Sequence, residues 1–215
     1  MSPVSLRCRL LDGTPHAFET GSPSERRESS ALARGPVWRP QQVHGTRIVE
    51  ARPQRPSEPA DGAWSSRPGL GVAVVSADCV PLLLASKDRR LVAAVHAGWR
   101  GLAAGVIEAA VAAMAVRDGG RVAAALGPAA GGCCYEVDEP VVAALAPRDE
   151  RLRRTRPGRW LLDLRGVAAD RLAGAGLAAS NIEIVGPCTI CSPDWPSYRR
   201  QGERAGRLLA WIFPA

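Results

Sequence analysis

The sequence predicts a mixed α/β sandwich. Three observations carry this: apolar runs of strand length alternate with segments of helical periodicity, no segment repeats at a period of roughly 20–50 residues, and the composition suits one sizeable core. The chain has 215 residues, 46% of them apolar and 23% charged, so a single domain over 1–215 is expected, with a mixed β-sheet flanked by helices.

The first 36 residues are polar, rich in Ser, Arg and Glu, and poorly periodic. They are expected to be irregular, with one short helix near 24–33 and His16 at the surface. VWRPQQVHGTRIVEA (37–51) reads as two short extended pieces, and the proline-rich RPQRPSEPADG (52–62) as loop. GVAVVSADCVPLLLAS (71–86) contains two apolar runs interrupted at Ala77, Asp78 and Cys79, which is either two strands or a strand and a buried turn. LVAAVHAG (91–98) is apolar on both faces, the pattern of a fully buried strand.

From 102 to 117, Leu102, Val106, Ala110, Ala113 and Met114 recur at helical spacing, and Gly119-Gly120 should stop the helix. Residues 122–126 (VAAAL) form a strand closed by Gly127-Pro128. Asp138 as an N-cap acid and Pro140 just inside the start open a helix through VVAALA. A further helix is expected over 163–174, a strand over 181–185, and a closing strand in GRLLAWIF (206–213).

The formal charge is +7, yet Lys87 is the only lysine and every other cation is arginine, a bias that GC-rich coding produces without selection for binding. The arginine cluster RDERLRRTRPGR (148–159) contains Pro and Gly and is read as a solvated loop rather than a polyanion-binding patch. No helix-turn-helix, zinc-finger or aromatic–basic signature accompanies it, which argues against nucleic acid as a partner. No window approaches the ~18 uninterrupted apolar residues of a membrane span. The opening MSPVSLRCRLLDG lacks the apolar core of a secretory signal, so the cytoplasm is the expected compartment.

Six cysteines, at 8, 79, 133, 134, 188 and 191, are expected as thiols. Cys188-Thr189-Ile190-Cys191 is a CxxC, but no second CxxC completes a four-thiolate zinc site. Its place near the C-terminus, before Pro193, does not suit a thioredoxin-like pair. Adjacent Cys133 and Cys134 are read as small residues packed beside a glycine turn.

Three residues stand apart, each at a strand end beside glycine or aspartate: His44 in QQVHG, Cys79 in SADCVP, and His96 in VHAGWRG. No local spacing links them, so only the fold can bring them together. Two imidazoles and a thiolate suit Zn²⁺ and leave a fourth position open. Asp78 and Asp61 are candidates for acceptors behind the ligands or for proton carriers. The same residues also fit a metal-free nucleophile, Cys79 activated by a histidine, and spacing does not separate the two. Arg100 either handles an anion or stacks on Trp99, and Arg199-Arg200 in SYRR are a second cationic pair. Tyr135 and Trp99 can stack on an aromatic ligand or serve as core.

QVHG, ADCVPLLL, AAVHAGWRGLAAGV, LGPAAGGCCYEV and CTICSPDWPSYRRQGERAGR together resemble the YfiH family, formerly called laccase-like polyphenol oxidases. The likeness runs from about Val37 to the C-terminus. It implies a single-domain α/β sandwich shared distantly with toxin-type cysteine deamidases. It also implies phosphorolysis of purine nucleosides and methylthioadenosine, together with hydrolytic deamination of adenosine. The family's metal triad falls on His44, Cys79 and His96, so the resemblance implies Zn²⁺, with Cu²⁺ as the alternative ion. A copper-dependent phenol oxidase is the weaker version, since the chain has three histidines in all. Purine nucleosides and phosphate are the implied small-molecule partners. The N-terminus departs from the family: relatives carry an Asn-Arg pair before the QVHG block, and here Arg26 stands where asparagine is usual while Arg27 keeps the arginine.

Overall fold

The computed structural model describes residues 4–21, 31, 33–54, 56–118 and 122–215. Arg27, most of the helix expected near 24–33, and the Gly119-Gly120 stop lie outside the described residues. The strands begin with β1 (Ser5–Leu6), β2 (His16–Gly21), β3 (Val37–Trp38), β4 (Ile48–Glu50), β5 (Gly62–Ser65), β6 (Gly71–Ser76) and β7 (Val80–Ser86). They continue with β8 (Val92–Ala97), β9 (Val122–Leu126), β10 (Glu136–Asp138), β11 (Leu152–Arg156), β12 (Arg159–Leu162), β13 (Ile182–Ile184) and β14 (Arg207–Ile212). The helices are α1 (Trp99–Ala104), α2 (Val106–Asp118), α3 (Glu139–Leu145), α4 (Leu164–Gly174) and α5 (Tyr198–Gln201).

Two mixed sheets form the body, one ordered β13-β9-β7-β8-β5-β4 and the other β1-β2-β14-β6-β3, with a small β10-β12-β11 sheet beside them. The α/β expectation holds, with two facing sheets where one was anticipated. Strand β7 shows why the layers stack. All seven of its residues are buried, and the period of two sends them to opposite faces. Leu82 and Leu84 join Leu102, Val106, Ile107, Met114, Leu164 and Val167 under the helices. Leu83 and Ala85 instead meet Phe18, Val72, Val74, Leu208 and Ile212 of the other sheet. Each such leucine contributes about 1.5–3 kcal/mol by leaving water, so both interfaces of the middle sheet hold the fold. The break at 77–79 is where the chain passes from β6 in one sheet to β7 in the other.

The predicted helix over 102–117 is two helices, because Gly105 takes a left-handed conformation (φ 97°) that ends α1 before α2 begins. The arginine-rich stretch is solvated as expected, but it is a β11–β12 hairpin rather than a loop. Arg151 at its base donates from Nε and Nη2 to the two oxygens of Asp170, both at 2.8 Å.

His16 is a correction. It begins a strand and is 2% exposed. Its Nε2 accepts the Cys8 N–H at 2.8 Å, and its Nδ1 donates to the Thr14 carbonyl at 2.7 Å. Burial lowers its pKa below the ordinary 6.5. A base whose pKa is depressed by folding takes its proton more readily when unfolded, so stability is complete above about pH 6.5 and falls as the pH drops below that value. We expect His16→Gln to lose about 1–3 kcal/mol at pH 8 but to flatten the fall in melting temperature between pH 6.5 and 5. Parallel slopes for wild type and variant would refute this assignment.

Candidate metal centre

Three strands end at one rim of the six-stranded sheet. In β8, His96 lies opposite Pro81 of β7, while Gly62 of β5 lies opposite Val95. Asp61 therefore sits beside His96, whose N–H donates to the Asp61 carbonyl at 2.7 Å. Cys79 immediately precedes β7, and His44 lies in the turn between β3 and β4.

The Asp61 carboxylate, fully buried, organises the rim. It accepts the N–H groups of Val43 (3.1 Å), His44 (2.9 Å) and Gly45 (2.6 Å). These three bonds hold His44 at φ 60°, a left-handed conformation that costs a non-glycine residue about 1–2 kcal/mol. The same carboxylate accepts from His96 Nδ1 at 2.9 Å. With its proton on Nδ1, His96 presents the Nε2 lone pair outward, the usual arrangement behind a metal-binding imidazole.

The His44 and His96 rings meet edge to face with centroids 4.8 Å apart. Cys79 Sγ lies 4.0 Å from His44 Nε2, and the ligand atoms of His44, Cys79 and His96 all fall within 4.8 Å of one another. A tetrahedral zinc ion separates its sulfur and nitrogen ligands by about 3.6 Å, close to the 4.0 Å between Cys79 Sγ and His44 Nε2. The donor set therefore fits a metal ion. Electrostatics supply the thiolate that a metal needs, while a second proton on His96 leaves when an ion binds. Burial raises the Cys79 thiol, but hydrogen bonds to His44 and His96 outweigh it and bring it down to about 7. Burial pulls His96 down, yet Asp61 and then Cys79 raise it to about 9. Burial also opposes ionisation of Asp61, but His96 and the N–H groups of Gly45 and Val43 hold its carboxyl below the usual range.

Beside this group stands a wall built by the C-terminal segment. Asp78 is at φ 85°, and its carboxylate accepts Thr189 Oγ1 at 2.7 Å and the Arg199 N–H at 2.6 Å. It thus ties that segment to the residue next to Cys79. Tyr135 is buried, and its hydroxyl is pushed up to about 12, first by burial and then by the charge of Cys79. The Arg199 guanidinium lies 5.0 Å from the Tyr135 ring centre and donates to the Glu136 carbonyl at 2.8 Å. Arg100 is exposed and stacks on Trp99, 4.5 Å from a ring that itself packs on the core. Arg200 is committed elsewhere: it donates to the carbonyls of Thr189, Ile190, Ser192 and Trp195 and so shapes the loop below the wall.

A family model described as multi-copper polyphenol oxidoreductase laccase matches residues 24–215. A Xylella fastidiosa protein (strain Temecula1) named purine nucleoside phosphorylase is 43% identical over 189 residues, which cover 82% of this chain and 72% of the relative. The YfiH purine nucleoside phosphorylase of Escherichia coli K12 is 35% identical over 185 residues, 83% of this chain and 73% of the relative. Among solved structures, the hypothetical protein YfiH of Bacillus licheniformis superposes with a TM-score of 0.89 at 25% identity, covering 100% of this chain and 97% of that one. YlmD of Geobacillus stearothermophilus gives 0.88 at 29% identity, covering 98% and 96%. The chain belongs to the YfiH family.

In this YfiH-family chain the three residues singled out as metal ligands come together, and Asp78, Tyr135 and Arg199 stand on the adjoining wall. Arg100 takes the stack on Trp99, and Arg200 has a structural task. The sequence pointed to Asp61 only as one acceptor among two; its hold on three successive N–H groups was not legible. A second grouping was missed altogether. Cys133, Cys134, Cys188 and Cys191 gather in one place, against the expectation from a single CxxC and an adjacent pair. The signal that would have found it is glycine: both Cys133 and Cys134 follow Gly131-Gly132.

The glycine of VHAGWRG explains itself in the same way. A Cβ on Gly98 would lie 2.9 Å from Cys79 Sγ and 3.0 Å from His44 Cδ2. Gly98→Ala should therefore displace two ligands while leaving the core intact. If these residues hold a metal ion, its affinity is expected to fall about 10–100-fold, the range seen when the support of metal ligands is disturbed, with a nearly unchanged circular dichroism spectrum. Competition with a chromogenic chelator measures it.

Proposed function

We propose that this chain is a zinc-dependent purine nucleoside enzyme. It would cleave adenosine, inosine, guanosine and methylthioadenosine with phosphate to the free base and the corresponding ribose 1-phosphate, and would also deaminate adenosine to inosine and ammonia. The observation that carries this reading is the convergence of His44, Cys79 and His96 on one point with Asp61 behind His96. The names of the relatives support the substrate class.

His44, Cys79 and His96 would hold the ion, which when bound supplies Lewis acidity and an acidified water at a fourth position. Asp61 fixes the face that His96 presents. Tyr135, protonated throughout the neutral range, offers an O–H donor beside Cys79 and an aromatic body for a purine. Arg199, with five N–H donors of which one goes to Glu136, is the cation placed to receive phosphate at this wall. In phosphorolysis the bond from C1′ to the purine nitrogen breaks, a phosphate oxygen bonds to C1′, and the base leaves with the electron pair and takes up a proton. Arg100 stands further along α1 as an exposed cation.

A multicopper oxidase asks for more imidazoles than this chain supplies. Of its three histidines, His16 has both ring nitrogens hydrogen-bonded in the protein interior. The test is assay of purified, metal-analysed protein on adenosine and inosine with and without phosphate. Phosphate-dependent release of free base marks phosphorolysis, and phosphate-independent inosine from adenosine marks deamination. No turnover by zinc-replete protein would remove the proposal.

The 4.0 Å approach of Cys79 Sγ to His44 Nε2 also allows a second reading, a metal-free cysteine hydrolase. Full activity in excess chelator, lost on alkylation of Cys79, would select it.

A further inference from the structure

Four of the five cysteines outside the His44–Cys79–His96 group meet at a second point. Cys133 and Cys134 lie in the turn that starts at Gly131, whose carbonyl accepts the N–H of both Cys134 and Tyr135. Cys188 and Cys191 flank a second turn, closed by the Ser192 N–H donating to the Cys188 carbonyl at 3.1 Å. A backbone bridge between Ala129 and Cys188 lays the two turns side by side. All four Sγ atoms fall within 4.8 Å of one another, and Cys133 Sγ is 3.7 Å from Cys191 Sγ. Tetrahedral zinc at about 2.3 Å from each sulfur spaces its ligands about 3.8 Å apart.

We propose that Cys133, Cys134, Cys188 and Cys191 form a second, structural zinc site of four thiolates. Three further features support it. The Gly131 N–H donates to Cys188 Sγ at 3.2 Å, and the N–H groups of Ile190 and Cys191 also serve that sulfur. Backbone donors of this kind stabilise a thiolate and orient it. A Cβ on Gly131 would sit 2.9 Å from Cys188 Cβ and 3.5 Å from Cys133 Sγ, so only glycine lets the turns approach. Cys133 and Cys191 are exposed, so core packing does not account for the gathering of these thiols.

Four protein ligands close the coordination sphere, which gives the ion a structural rather than catalytic task. What it would fasten is the wall of the first centre. Tyr135 directly follows Cys134, and Thr189, inside the CxxC, donates to Asp78 next to Cys79.

The site is tested apart from the nucleoside reading by titrating metal-free, reduced Cys79→Ala protein with Co²⁺ under anaerobic conditions. In this variant the first centre has no sulfur, so thiolate-to-cobalt charge-transfer absorption reports the four-cysteine cluster alone. We expect one equivalent to bind with an intense charge-transfer band, and the band to be lost in Cys79→Ala/Cys188→Ser/Cys191→Ser. As isolated, wild type should carry two zinc ions per chain and folded Cys79→Ala one. Absence of the band in Cys79→Ala overturns the proposal whether or not the triple variant folds. A Cys133–Cys191 disulfide in protein isolated with excess zinc would overturn it equally.

Discussion

Cys79→Ala is expected to lower kcat/KM for phosphorolysis of adenosine by about 10³-fold or more, because the stabilisation of developing charge by a correctly held ion is worth several kcal/mol and each 1.36 kcal/mol is tenfold. The sulfur is the anionic donor of the group, and its two neighbours are an exposed imidazole and a buried one. Removing it leaves two neutral ligands for a dication. The metal content should fall by one equivalent per chain, while the fold survives, since the side chain lies at a rim rather than in a packed layer. His44→Ala and His96→Ala should fall in the same range, and Cys79→Ala/His96→Ala should be little worse than either alone, because ligands of one ion act as a unit. Steady-state kinetics with parallel metal analysis check this. Zinc content unchanged in Cys79→Ala would reject the ligand assignment, and activity within tenfold of wild type would reject the site.

Asp61→Ala is expected to be the most destabilising single change at the rim. The fully buried carboxylate satisfies the backbone donors of Val43, His44 and Gly45 and the Nδ1–H of His96. Removing one partner of a buried ionic network typically costs about 3–5 kcal/mol, and His44 loses what holds its left-handed backbone. Urea unfolding should show that loss as a lower midpoint at constant slope. Asp61→Asn keeps the shape and one acceptor oxygen, so it should lose less stability while zinc affinity falls about 10–100-fold through the altered support of His96. Equal stability of Asp61→Ala and wild type would show that the carboxylate is not the organiser of this turn.

Much of the architecture was legible because it is written in local periodicity. The runs 71–86, 91–98 and 122–126, the helices from Asp138 and Asp163, and the closing strand form where the pattern places them, while the helix expected from Leu102 is divided at Gly105. The misreadings share one cause. β11 has four exposed residues in five, and β2 begins at a histidine in a polar neighbourhood. Neither shows the alternation or apolar run that reports burial, and both are strands because partners elsewhere in the chain pair with them. The site was half legible for the same reason. Its residue types stand out beside glycine and aspartate, but their meeting depends on registers such as Pro81 opposite His96, which no spacing within a segment encodes. The four-cysteine cluster depends on contacts between distant turns, such as the Ala129–Cys188 bridge and the Gly131 N–H on Cys188 Sγ, which no paired CxxC spacing encodes.

β14 occupies the middle of its sheet, hydrogen-bonded to β2 on one side and β6 on the other. During translation at about 5–20 residues per second, β2 must therefore wait roughly ten to forty seconds for a neighbour about 190 positions downstream. Over that interval β2 and β6 have open edges able to recruit other nascent chains. The β7–β8 hairpin of the six-stranded sheet faces no such delay, so it can form on the ribosome while the other sheet stays incomplete. Slower initiation, lower growth temperature or a chaperone that shields β-edges should raise the yield of correctly folded material more than any change to the helices.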